Sequence, residues 1–169
     1  MINKITMKFF ISVLITGILT SCSALIPKLN PVSIVVNEAV NKYKYVFIAP
    51  TGNLTSGTSS IYGNSYSLVG VQANKTVNPA DVISGILTKK GLIRLPELNP
   101  DFLNETLIVN YGESGRRDTG LGGYTIEVTI QFISAKNNQL ICSCTAEGQG
   151  ATEADDIRLA IVRCLSGLF

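Results

Sequence analysis

The chain has 169 residues, 46% hydrophobic and 15% charged. That is enough for one globular domain with a real core and too little for two, and it excludes a disordered chain. The formal charge of +2 falls to zero without Lys4 and Lys8, which lie in a segment expected to be removed, so nothing electrostatic points to nucleic acid. Histidine and tryptophan are both absent, which excludes imidazole bases, Ser-His triads and His-ligated metals.

Residues 1–8 carry two lysines and no acid, and residues 9–19 form an apolar run broken only by Ser12, Thr16 and Gly17. A basic start, a short apolar stretch and small residues before a cut site describe a secretory signal. The run is too short to stay in a bilayer as a permanent helix. Leu19-Thr20-Ser21-Cys22 then places Leu three before a Cys with small residues between. This pattern resembles the lipobox of bacterial lipoproteins. The resemblance implies that residues 1–21 are removed and that Cys22 carries the lipid. By the same resemblance, the non-acidic Ser23 implies sorting to the outer membrane.

Residues 22–42 read as a tether and N-terminal segment, with a short β-branched strand at 33–36. The rest, 43–169, reads as one α/β domain. Residues 43–50 form a strand that Pro50 ends. Residues 51–78 are an insertion rich in Gly, Ser and Thr. It reads as a flexible surface loop, with a weak strand or hairpin inside 61–71, or as a partner-binding loop with Tyr62 and Tyr66 as contact anchors.

Asn78-Pro79-Ala80-Asp81 opens a helix: Asn caps, Pro suits the first turn, and Asp complements the positive end of the dipole. Gly91 stops it, and short strands follow at 92–95 and 106–111, joined by turns. Residues 112–123 read as a glycine-rich connection carrying Arg116 and Arg117. In 124–132 every second residue is apolar and the others are polar, the period of a strand with one buried face. Asn137 and Asn138 supply turn chemistry before a second strand from Leu140. Ile157, Ala160, Ile161, Cys164 and Leu168 then mark one face of a closing helix. The expected fold is α+β: a two-layer, mixed and mainly antiparallel sheet with two helices packed on one face.

The lipobox, the Tyr-Lys-Tyr-Val-Phe-Ile strand at 43–48, the Asn-Pro helix ending Lys-Lys-Gly at 89–91, and the final hairpin and helix together resemble the small lipoproteins of Gram-negative envelopes. Their domain is similar to the N-terminal domain of TolB. The resemblance covers most of 43–169 apart from 51–78. It implies an envelope lipoprotein without a catalytic role, and it supplies no ligand.

Cys142, Cys144 and Cys164 are either three small core residues or include one disulfide, from Cys164 to Cys142 or to Cys144. A metal site would lack a fourth partner, so none is expected, and no cofactor either. Arg116 and Arg117, with Glu113 and Asp118 near them, make either a small charged contact site or a solvated loop. The functional expectation is a binding or structural module held at the periplasmic face of the outer membrane by lipid on Cys22. Its partner is an envelope protein or the cell wall. The alternative is an enzyme acting on envelope material through a carboxylate and arginine site.

Overall fold

A computed structural model describes residues 28–51, 54–64, 67–120 and 123–169, with backbone alone for 54–64 and 67–75. Cys22 and the signal segment lie outside the described residues, as do Tyr66 and the side chain of Tyr62. In chain order come β1 (Ser33–Val36), β2 (Tyr45–Ile48), β3 (Leu54–Asn64), β4 (Ser67–Val77), α1 (Pro79–Lys89) and β5 (Ile93–Arg94). Then follow β6 (Thr106–Gly120), β7 (Gly123–Ser134), β8 (Leu140–Gly148) and α2 (Glu153–Leu168). Short 3-10 turns at Val40–Lys42 and Pro100–Glu105 join elements.

Six strands form one mixed sheet in the order β1-β8-β7-β6-β2-β5. The strands β6, β7 and β8 are an antiparallel meander, and β1 adds antiparallel to β8 with Ser33 opposite Thr145. Strand β2 runs parallel to both β6 and β5. Parallel neighbours need a crossover, and the chain between β2 and β5 supplies it with a hairpin and α1.

The alternation in β7 produces the core. Ile126, Val128, Ile130 and Phe132 are fully buried, and Ile141, Cys142, Cys144 and Ala146 of β8 join them. Helix α2 covers this face with Ile157, Ala160, Ile161, Cys164 and Leu165, all at 0% exposure. Thr152 caps α2 by accepting from the Asp155 N–H. Helix α1 adds Ala80, Ile83 and Leu87 to the same core. Its Asn78 cap accepts from the Ala80 N–H at 3.0 Å and is itself held by the Thr51 hydroxyl at 2.8 Å. The layers are therefore those expected: a mixed, mostly antiparallel sheet with two helices.

Three local expectations change. The weak hairpin expected inside 61–71 is instead a long one that takes up most of 51–78: β3 and β4 pair antiparallel in continuous register from Leu54 opposite Val77 to Asn64 opposite Ser67. They form a separate two-stranded sheet whose base enters the core at Val77, 2% exposed. Residues 112–120 are not a glycine-rich connection but the outer half of the 15-residue β6, paired with β7 across two irregularities at Glu113/Gly115 and Asp118/Gly120. Finally, Thr125 is fully buried while Tyr124 is exposed, the reverse of what the alternation predicts at that end of β7. The cause is a charged cluster described next.

Candidate functional site

Arg116 and Arg117 do not make one site. Successive residues of a strand face opposite sides of a sheet, and their partners follow that rule. Arg116 reaches the helix side. Its guanidinium donates to the Glu153 carboxylate in the first turn of α2, lies 3.8 Å from Glu113, and stands 5.3 Å over the Tyr124 ring. That covering explains why Tyr124 remains at the rim. Asp118 takes no part: it accepts from the Gly120 N–H at 2.7 Å and closes the turn.

Arg117 goes to the other face and finds Glu147, near the end of β8. Two parallel bonds, Nε to Oε1 at 2.8 Å and Nη2 to Oε2 at 2.7 Å, make a fork-to-fork pair. The Glu147 side chain is 3% exposed and that of Arg117 is 40%. The guanidinium hydrogen bond, helped by an N–H donor from Asn30, holds the Glu147 carboxyl down at about 2, against the opposing effect of burial. Both arginines are in turn raised by their carboxylate hydrogen bonds.

Glu147 also receives the N-terminal segment. The Asn30 N–H donates to Oε2 at 2.8 Å and the Asn30 side-chain amide donates to Oε1 at 2.9 Å. Arg117 Nη2 donates to the Lys28 carbonyl at 3.2 Å. From α2, Arg163 donates to the Asn30 carbonyl at 2.9 Å and to the Glu147 carbonyl. Thr125, beneath this assembly, is sealed from water. Sequence reading assigned Glu147 no role. The one available signal was a lone carboxylate between Ala146 and Gly148 in an otherwise uncharged strand. Gly148 is required there, because a Cβ would stand 1.9 Å from the Asp156 carbonyl oxygen.

The remaining polar features are modest. On the open sheet face, Ser114 donates to Glu127 at 2.8 Å and Thr129 bonds Thr145 at 2.8 Å. A shallow cleft of about 240 Å³ lies beside them, lined by Asn110, Glu113 and Gln131 among others. The Tyr111 hydroxyl is buried with no hydrogen-bond partner among the described residues, and burial raises its pKa. At the start of α2, burial raises the Asp156 carboxyl, opposed by the Gly150 N–H it accepts from. A wider groove of about 570 Å³, lined by Val40, Tyr43, Leu92, Leu168 and Phe169, opens between the first 3-10 turn and the C-terminus.

Of the two disulfides open from sequence, the one present joins Cys144 to Cys164, with Cα atoms 5.5 Å apart. It staples α2 to β8. Cys142 is a buried free thiol whose pKa burial pushes up to about 11, so it is inert. Among the described residues no group of three or more His, Cys, Asp or Glu is placed to hold a metal. None of their helices is long and apolar enough to cross a membrane.

The fold defines a small two-layer α+β domain with a stapled C-terminal helix and a clamped N-terminal segment. No family model and no curated protein matches the chain. Among solved structures it is similar in fold to a PelC dodecamer from Paraburkholderia phytofirmans: TM-score 0.52, 16% identity, covering 82% of this chain and 98% of that one. A second PelC dodecamer, a point variant from the same organism, aligns at TM-score 0.48 and 15% identity over 81% of this chain and 95% of that one.

Proposed function

We propose that the protein is a lipoprotein of the Gram-negative envelope, anchored in the outer membrane through Cys22, facing the periplasm, and acting as a non-catalytic binding or structural module. The observation that carries this reading is Leu19-Thr20-Ser21-Cys22 behind a basic start and a short apolar run. Several acyl chains on one residue hold stably, since each buried CH₂ contributes about 0.8 kcal/mol. The resemblance to small envelope lipoproteins with a domain like that of TolB supports the same reading. So does the Cys144–Cys164 disulfide, because such bonds persist in oxidising compartments.

The partner is an envelope protein, the cell wall or further copies of the chain. The sheet ends in two open edges that expose apolar residues: Ile34, Val35 and Val36 on β1, and Ile93 on β5. Joining unlike edges of successive copies closes a ring when the rotation permits, and the similar PelC structure is a dodecamer. The long β3–β4 hairpin offers a further contact, since a two-stranded ribbon is marginal alone in water.

Two experiments test the reading. Cys22→Ala leaves the chain without lipid, so it is expected to leave the outer-membrane fraction; a variant that still fractionates there refutes the anchor. Crosslinking in the intact envelope is expected to capture a partner from the wild type. Products spaced at the chain's own mass identify a second copy. Replacing residues 56–72 by a short Gly-Ser linker is expected to abolish capture if the hairpin makes the contact.

A further inference from the structure

We propose that Arg117, Glu147 and Arg163 form a latch for the tether, which turns one end of the domain, bearing the β6–β7 connection, toward a phospholipid surface. The inference rests on the lipid anchor proposed for Cys22.

The hydrogen bonds already described converge on residues 28–30 from three separate elements: Arg117 on β6, Glu147 on β8 and Arg163 on α2. A structureless linker needs none of them. Glu147 is a nearly buried carboxylate that takes two bonds from Arg117 and two from Asn30, and the Thr125 hydroxyl also bonds to it. Two of its bonds therefore serve the tether. Burying a carboxylate is costly unless it is paired and hydrogen-bonded, and here the tether completes the set.

The consequence is geometric. From Cys22 to Lys28 an extended chain spans at most about 21 Å, at about 3.5 Å per residue. If residues 28–30 were free, the first fixed point would be Ser33 in β1, and the leash would reach about 38 Å. The 12-residue β7 is itself about 40 Å long at about 3.3 Å per residue. An unlatched tether is thus as long as the sheet, and the domain could present any side. The latched tether is about half that length and leaves from the end that carries Arg117 and the start of β7. The opposite end, with the β7–β8 turn at Lys136, is held away.

The test uses the full lipidated chain in vesicles of phosphatidylethanolamine and phosphatidylglycerol containing a lipid-phase quencher. A fluorophore is attached either at Asp118→Cys, beside the latch, or at Lys136→Cys, at the far turn. With the latch intact, quenching at position 118 is expected to exceed that at 136 at least threefold. Glu147→Gln and, independently, Arg117→Ala are expected to bring the two toward equality while the chain still floats with the vesicles. Arg117 is partly exposed, so its replacement keeps the test open if Glu147→Gln does not fold. In parallel, amide exchange of the purified full chain in detergent reads the latch without a bilayer. The Asn30 N–H is expected to exchange at least tenfold faster in either variant. A chain that floats but shows equal quenching at both positions overturns the orientation and leaves the anchor standing. A chain that does not float overturns the anchor and the orientation together. An Asn30 amide as fast in wild type as in the variants overturns the latch itself.

Discussion

Ile161→Ala probes the layer contact on which the domain depends. Ile161 is at 0% exposure in the middle of α2, between Ile157 and Leu165, with Phe132 and Ile130 in the sheet core it covers. Truncation removes three carbons from a water-free site, a transfer loss of about 2.4 kcal/mol at ~0.8 kcal/mol per group. The cavity left behind raises the total to about 3–4 kcal/mol, within the usual range for such changes. With a urea slope of about 2 kcal/mol/M for a domain of this size, the midpoint is expected to fall by about 1.5–2 M. The neighbouring Val162 is 40% exposed, and Val162→Ala exchanges a β-branched residue for the best helix former. Its midpoint is expected to stay within about 0.3 M of wild type. Both are measured by far-UV circular dichroism under oxidising conditions, so that the staple stays closed. Equal midpoints for the two variants would refute the packing described for α2.

Other perturbations follow from separate features. Gly148→Ala drives a Cβ into the backbone of α2 and is expected to reduce the thermal midpoint sharply, whereas Gly85→Ala, in open space on α1, is expected to gain about 0.5–1 kcal/mol; the opposite order in a melting experiment overturns both placements. Reducing Cys144–Cys164, which closes 20 residues, is expected to cost about 3 kcal/mol in urea titrations with and without reductant, and mass mapping that finds all three described thiols free contradicts the assignment. Glu147 sits near 2 when folded, below the ordinary carboxylate value of about 4.3, so its contribution is full above about pH 4.5 and is lost as pH falls toward 2. Glu147→Gln is expected to flatten that part of the stability profile; an unchanged acid limb speaks against the ion pair.

The β7–β8 hairpin and α2 were legible because each carries one clean period. Asn138 does adopt φ 57° in the turn its chemistry suggested. The outer half of β6 was hidden because Gly112, Ser114, Gly115 and Gly120 have poor strand propensity, and only the long partner β7 holds them in register. The hairpin of β3 and β4 was legible only as a weak strand or hairpin inside 61–71, and its full length was hidden by poor strand propensity, with four glycines spread through 52–70. Arg116 and Arg117 read as one cluster because they are adjacent, yet strand alternation sends them to opposite faces. That separation was deducible only if 112–120 was first recognised as a strand. The Glu147 assembly joins residues 117 positions apart in the case of Asn30, beyond any local pattern.

The pairing of β1 with β8 sets the order in which the chain can assemble. The meander of β6, β7 and β8 uses near neighbours, and such contacts form early because little loop entropy must be overcome. Ser33, by contrast, waits for Thr145, more than a hundred residues later. A chain made from its N-terminus therefore holds its first strand unpaired through nearly the whole of its synthesis. The exposed Val-rich segment is short, only four residues, which limits the time-dependent risk of pairing with another nascent chain. Pulsed hydrogen exchange during refolding is expected to protect β7 amides before those of β1; simultaneous protection would place closure of the chain ends in the nucleus instead.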